Sequence, residues 1–259
     1  MAYRNPAFLP TNRVAVAGAS AISVLTGAAF AAANPKERLI DGRISRNAKA
    51  ASAGAWEIGV DLGSSISCNR VVVPVGHNLS GATVQVYTYT AFGPPTGSVQ
   101  RASVVAGAGA IDISFAAVAS RYWSLYVPTV TLAWELPEWI LGTYAQTSTG
   151  VVSTWGVSIE EPVLVAPFPT REATVLEAAA RRTLSLGHRA LAGADLAIYD
   201  DVIALGRSRA FLHWPVDDSL ASPLLVKLEG RPTRDQDSPN PRGTGPTYRV
   251  ELEMLEQAT

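Results

Sequence analysis

Trp56–Val75 reads WEIGVDLGSSISCNRVVVPV, and the reading of this stretch decides the fold. Trp56, Ile58, Val60 and Leu62 alternate with Glu57, Gly59 and Asp61, a period of two that collects the apolar side chains on one face of a sheet. Gly63-Ser64-Ser65 predicts a tight turn, and Arg70–Val75 predicts a second, β-branched strand. The stretch holds no catalytic signature.

The pattern continues outward. Ala82–Thr90, ATVQVYTYT, alternates again, with Val84, Val86 and Thr88 on one side and Gln85, Tyr87 and Tyr89 on the other. Pro94 and Pro95 exclude Ala91–Gly97 from a strand interior. Short strands are expected at Ser103–Val105 and Ile111–Phe115, a strong one at Arg121–Val127 (RYWSLYV) and another at Val130–Trp134. The expected core of an antiparallel sandwich over residues 1–137 is Trp56, Val60, Leu62, Val72, Val84, Val86, Trp123 and Leu125. Upstream, Arg4 and Arg13 precede the apolar run Val14–Ala33, which imitates a secretory leader or a membrane span. The run is mostly Ala, Gly, Ser and Thr, so short strands and turns packed on the sandwich are expected instead, without membrane insertion.

Residues 138–259 differ in texture. Val163–Phe168 reads as a connector, and Glu172–Leu186 leans to strand despite three alanines. Ala194–Leu205 predicts the one helix, with Leu196, Ile198, Tyr199, Val202, Ile203 and Leu205 on a common stripe and Gly206 past its end. Phe211–Trp214 and Leu224–Leu228 predict strands, and Tyr248–Leu255 closes the chain with Tyr248, Val250, Leu252 and Met254 on one face. Thr147–Ser153 and Arg231–Pro246 read as long polar loops that order against a neighbour. The fold class is therefore mainly β: an antiparallel jelly-roll or β-sandwich at 1–137, then a β-rich assembly domain at 138–259 with a helix near 194–205.

Composition narrows function. The formal charge of the 259-residue chain is −1, which gives no electrostatic case for nucleic acid. Cys68 is the single cysteine, read as a small buried thiol, and excludes an intrachain disulfide or a Cys-x-x-Cys zinc site. His77, His188 and His213 lack metal-ligand spacing. Gly107-Ala108-Gly109 has neither the third glycine nor the βαβ setting of a dinucleotide loop. Asp200-Asp201 and Asp217-Asp218 read as a solvated helix face and a turn. No catalytic residue, cofactor or metal ligand is expected. Two pairs remain as interaction candidates. Trp134 and Trp139 bracket a Pro-containing loop, where exposed rings stack on sugars, although core packing explains them more cheaply. Arg207 and Arg209 follow the helix as an anion site or inter-subunit pair, against the simpler reading of solvated loop charges.

Two resemblances follow. The order LIDGRISR, WEIGVDLGSSISCNRVVVPV, ATVQVYTYT and RYWSLYV across residues ~35–130 resembles the discoidin or coagulation factor 5/8 type C module, without that module's bridging cysteine pair. It implies a galactose-binding-like jelly roll. Over ~140–259, RRTLSL, ADLAIYDDVIALG, AFLHWPVDDS and YRVELEMLE resemble distal and minor tail proteins at the tail tip of bacteriophages. Together they imply a non-enzymatic virion protein of a phage tail tip or baseplate. Its expected partners are other tail proteins and its own copies in a homo-oligomeric ring, which near-zero net charge suits, with a host surface glycan as a further partner. The alternative is a carbohydrate-binding module of a secreted bacterial protein.

Overall fold

The computed structural model describes residues 5–92, 95–148, 151–160, 163–167, 173–177, 181–191, 193–207, 209–214, 216, 223–239 and 246–257. In chain order the first half contains β1 (Ala7–Leu9), α1 (Arg13–Ala17), β2 (Ile22–Thr26), β3 (Ala48–Lys49), β4 (Trp56–Val73), β5 (Thr83–Tyr89), β6 (Ala91–Phe92), β7 (Pro95–Thr96), β8 (Val99–Val105), β9 (Ile111–Val127), β10 (Glu135–Leu136) and β11 (Ile140–Gly142). The second half contains β12 (Ala145–Gln146), β13 (Val151–Glu160), β14 (Val163–Pro167), β15 (Ala173–Glu177), β16 (Arg181–Leu191), α2 (Gly193–Ala204), β17 (Phe211–Trp214), β18 (Leu224–Leu228), β19 (Thr233–Pro239) and β20 (Pro246–Glu256).

The deciding stretch is one strand, not a strand pair. β4 runs 18 residues alongside the 17 of β9, with register shifts between Asp61 and Ile66 and between Cys68 and Arg70. Gly63 takes φ 76°, a left-handed conformation that suits glycine, and its N–H is capped by the Asp61 carboxylate at 2.8 Å. The local chemistry of a turn thus serves as an irregularity inside a long strand, because β9 pairs with both flanks. β4 and β9 anchor a six-stranded antiparallel sheet of order β11-β4-β9-β5-β8, with β2 on the other edge segment of β4. The inner face carries Trp56, Ile58, Val60, Val84, Val86, Trp123 and Leu125. A smaller layer closes over it, built of the β3–β10 pair with Leu39, Ala48, Ala50, Trp134, Leu136 and Trp139. This is the expected antiparallel sandwich. Leu62 lies half-buried at its margin. Cys68 is buried, and burial pushes its thiol up to about 11.

Val72 belongs to a different core from its neighbours. Val71 and Val73 face the sandwich interior, while Val72 packs with Leu9, Ile44, Ile140, Leu212 and Leu225. A strand end buried on both faces explains the unbroken VVVPV run. The elements on that second side form an eight-stranded sheet of order β12-β1-β17-β18-β20-β16-β13, with β19 also on β20. Helix α2 packs Leu196, Tyr199 and Val202 against Phe8, Leu184, Leu186, Phe211, Val226, Val250, Leu252 and Met254. β1 sits inside this sheet between β12 and β17, so residues 7–9 pair with strands more than a hundred positions away. Arg70 crosses the seam as well. It holds Asp112 through two bonds of 2.6 and 2.7 Å, and its guanidinium lies 4.7 Å from the Tyr144 ring and 5.2 Å from that of Trp214. The Trp214 indole donates to the same Asp112 at 2.9 Å.

Several expectations change. Val130–Trp134 is loop, not strand. Val163–Pro167 is one arm of a β14–β15 hairpin rather than a connector. Thr233–Pro239 pairs with β20, so that part of the expected long loop is strand, and residues 240–245 lie outside the described residues. Backbone pairing satisfies a polar stretch that needs no apolar face of its own. The Ala-rich run forms α1, a 3-10 turn at Ala19–Ala21 and β2, with β2 paired on β4 as expected of sandwich packing. Among the described residues no helix is long and apolar enough to cross a membrane.

Candidate functional site

The outer face of the six-stranded sheet is where this molecule departs from an ordinary solvated sheet. Register fixes its rows. Glu57 lies beside Tyr126, which lies beside Gln85; Gly59 beside Ser124 beside Tyr87; Asp61 beside Tyr122 beside Tyr89. Because side chains alternate, each of these points away from the core that Trp56, Trp123 and Val86 fill. The short β6–β7 pair brings Phe92 back over the same face. Gly59 makes the room: a Cβ there would stand 2.6 Å from the Phe92 ring and 2.8 Å from Leu25.

The result is a connected line of half-buried rings. Centroids are separated by 6.1 Å from Tyr126 to Tyr87, 6.4 Å from Tyr87 to Tyr89, 5.6 Å from Tyr89 to Phe92 and 4.9 Å from Phe92 to Tyr122. Polar groups are interleaved and held. The Tyr87 hydroxyl donates between Gln85 and Gln100, at 3.0 and 3.1 Å. Glu57, buried beneath the rings, accepts from the Tyr89 and Ser124 hydroxyls at 2.5 Å each. Burial first, and then the hydrogen bond to Glu57, raises the Tyr89 phenol well above its ordinary range, so it stays a donor. At the end of the line Arg121 grips Asp61 through two 2.7 Å bonds and lies 4.9 Å from the Tyr122 ring. That hydrogen bond holds the Asp61 carboxyl below its usual value.

Such a surface offers ring faces to C–H groups and hydroxyl and carboxamide groups to a polyol. Its two carboxylates are both engaged, Glu57 by hydroxyls and Asp61 by a guanidinium.

The four residues singled out by sequence fall elsewhere. Trp134 and Trp139 are fully buried, Trp134 with its ring 4.8 Å from Trp56 and 5.3 Å from Phe30, so neither presents a face to a sugar. The Pro-containing loop between them folds inward because Leu136 and the β3–β10 pairing close the sandwich. Arg207 and Arg209 are exposed, each on the lip of a cavity at the seam between the two sheets. The histidines are scattered. His77 donates to Gly109 O at 2.8 Å and accepts from Leu79 N, and His213 is buried against Ala7 O and the Phe8 ring. Asp200 pairs with Arg234, while Asp217 and Asp218 lie outside the described residues. Among the described residues no group of His, Cys, Asp or Glu has metal-site geometry. The ring line had a signal in the sequence: Tyr87, Tyr89, Tyr122 and Tyr126 occupy the positions that alternation assigns to the outer face, where Thr, Lys or Glu would suffice.

No protein family and no curated protein matches the chain by sequence. Solved structures similar to it include a chitosan-binding module 1 from a chitosanase/glucanase of Paenibacillus sp. IK-5, at 19% identity and TM-score 0.43 over 54% of this chain and 98% of that one. Module 2 of the same enzyme, solved with chitotriose, matches at 21% identity and TM-score 0.42, covering 49% and 98%. The family 32 carbohydrate-binding module of C. perfringens NanJ, solved with galactose, matches at 11% and TM-score 0.40, covering 54% and 99%. Identities this low carry neither a ligand nor a residue role across.

Proposed function

We propose that this chain is a non-catalytic glycan-binding protein whose sandwich lays the Tyr126–Tyr87–Tyr89–Phe92–Tyr122 line against a saccharide. The observation that carries the reading is that line itself. Five rings meet on the sheet face that needs none for the core, with Gln85, Gln100 and the tyrosine hydroxyls between them. A glycan array spanning amino-sugar, glucose and galactose chains tests it, followed by calorimetry on hits. Tyr87→Ala should weaken binding about 5- to 10-fold with the melting temperature nearly unchanged. A folded protein that binds nothing on the array, or binding indifferent to Tyr87→Ala and Tyr126→Ala together, overturns the reading.

A second reading is a subunit of a larger assembly, of the kind resembled at a phage tail tip, with the virion as its location. What favours it is β13, an end strand of the eight-stranded sheet that leaves Val157 and Ile159 exposed. Mass measurement in solution tests it: this reading expects a closed oligomer that Ile159→Lys disperses, and a wild-type monomer at all concentrations counts against it.

A further inference from the structure

The seam between the two sheets contains a feature that the ring line does not use. Asn12 caps α1 and ties it to the chain around Trp139. Its Oδ1 accepts from Val14 N at 3.0 Å and from Leu141 N at 3.3 Å, and its Nδ2 donates to Trp139 O at 3.1 Å and to Glu138 Oε1 at 3.4 Å. The other carboxyl oxygen of Glu138, Oε2, is buried and has no partner, although the residue is only 4% exposed. A buried polar atom without a partner costs on the order of 1–3 kcal/mol, and the fold does not relieve it. Glu138 forms part of the wall of a cavity of about 390 Å³, within the range that holds small ligands. Ile40 and Leu205 supply apolar wall, and Lys227 and Arg209 supply positive charge. Beyond Gly42 and Lys227 a second cavity of about 510 Å³ continues past Arg43 and Arg207.

We infer that this cavity is a second binding site, for a small carboxylate of monosaccharide size or less, held between the free oxygen of Glu138 and the cations Lys227 and Arg209. Three facts select the class. First, Oε1 already accepts from Asn12, so the proton of a neutral Glu138 resides on Oε2 and the ligand must bring an acceptor. Second, burial pushes the Glu138 carboxyl up to about 8, with Asp41 raising it and Asn12 and Lys227 lowering it, so the neutral donor form prevails at pH 7. Third, with Glu138 neutral the charged groups facing the cavity are Lys227 and Arg209 against Asp41 alone, a surplus that repels an ammonium and attracts an anion. The site is independent of the outer-face tyrosines, none of which lines the cavity.

The test is calorimetry on the full chain with D-glucuronate, N-acetylalanine and, as the neutral counterpart, D-glucose. One or both acids should bind at pH 6.5, glucose should not, and which acid binds distinguishes a sugar acid from a peptide-like carboxylate. Lys227→Met should weaken binding roughly 10-fold or more, and Arg209→Gln, on the exposed lip, provides the check if the first variant fails to fold. Raising the pH from 6.5 to 9.5 ionises Glu138, so affinity should fall about 10-fold or more, and Glu138→Gln, which keeps a donor, should bind at pH 6.5 and lose that fall. Tyr87→Ala should leave all of it unchanged, so failure here is separable from failure of the glycan reading. Equal binding of glucose, no binding of either acid by folded protein, or affinity indifferent to pH, Lys227→Met and Arg209→Gln overturns the inference.

Discussion

The six-stranded sheet takes its inner face from one contiguous run of chain, Val14 to Leu141, and divides its outer face between the ring line and the seam at Val72. The eight-stranded sheet buries one face on α2 but borrows its interior strand β1 from residues 7–9. Sandwich packing therefore depends on neighbours that the local alternation announces, whereas the second sheet depends on a long-range insertion that no local pattern announces. The sharpest way to break this contrast is to compare two buried aromatics. Trp123→Ala removes a fully buried indole from the sandwich and Phe8→Ala removes a fully buried ring carried by β1, and each should cost about 3–5 kcal/mol in denaturant unfolding. Tyr126→Ala, on the outer face, should cost less than about 1.5 kcal/mol. If Phe8→Ala were as mild as Tyr126→Ala, β1 would be an accessory of the second sheet rather than a member.

The same contrast explains what could be read in advance. Alternation placed Val84, Val86, Trp123 and Leu125 inside and marked the closing strand, and a helical stripe marked α2, because in each the side-chain period is the whole signal. It failed where the partner is distant. Gly63-Ser64-Ser65 looks the same as a turn or as a strand irregularity, and only β9 decides. Thr233–Pro239 lacks large apolar residues yet becomes a strand because β20 offers an unpaired edge. Core packing is the cheaper reading of Trp134 and Trp139 and the one the structure has, but the layer that buries them, residues 36–50, comes from the far side of the sandwich and has no local mark. The ring line was visible as outer positions but not as a connected array, since Phe92 joins it by folding back over Gly59. Arg207 and Arg209 are exposed, as solvated loop charges would be, but the buried carboxyl whose cavity Arg209 shares had no local mark at all.

Acid and base distinguish the seam from the sheets. Glu138 has a native value near 8 against an ordinary 4.5, so the unfolded chain releases its proton first. Its contribution is fully present below pH 4.5 and is lost as pH rises through about 8, at up to about 1.4 kcal/mol per pH unit. Glu138→Gln should flatten the fall of stability between pH 5 and 8 in urea titrations, and an unchanged slope would remove Glu138 from the seam's energetics. His213 has the opposite sign. Burial takes its imidazole down to about 4 from 6.5, so the unfolded chain binds the proton first. Its own contribution to stability should therefore fall as pH drops from 6.5 to 4, by up to about 3 kcal/mol, against the opposite contribution of Glu138 over the same range. Hydrogen exchange at the β1–β17 pairing should quicken over that range before the sandwich amides do; simultaneous loss would mean that the two sheets open as one.

A subtler contrast comes from two Arg–Asp pairs on the same two strands, which differ only in where they sit. Arg121–Asp61 lies on the outer face with the guanidinium largely solvated, and Arg70–Asp112 lies at the seam with both side chains about one-fifth exposed. Coulombic attraction in water is weak and holding two long side chains costs entropy, so Arg121→Met should leave stability nearly unchanged, the more so in 1 M salt. Arg70→Met should cost more, about 2 kcal/mol, because Asp112 would keep its partial burial and only the Trp214 indole as donor, and the Tyr144 and Trp214 rings would lose the cation between them. A double-mutant cycle on each pair separates the pair energy from lost packing. Equal coupling in the two cycles would mean that solvent reaches the seam as freely as it reaches the outer face. That would also undercut the desolvation that keeps Glu138 neutral, since Arg70 and Glu138 lie at the same junction, flanking β11 through Gly142 and Trp139.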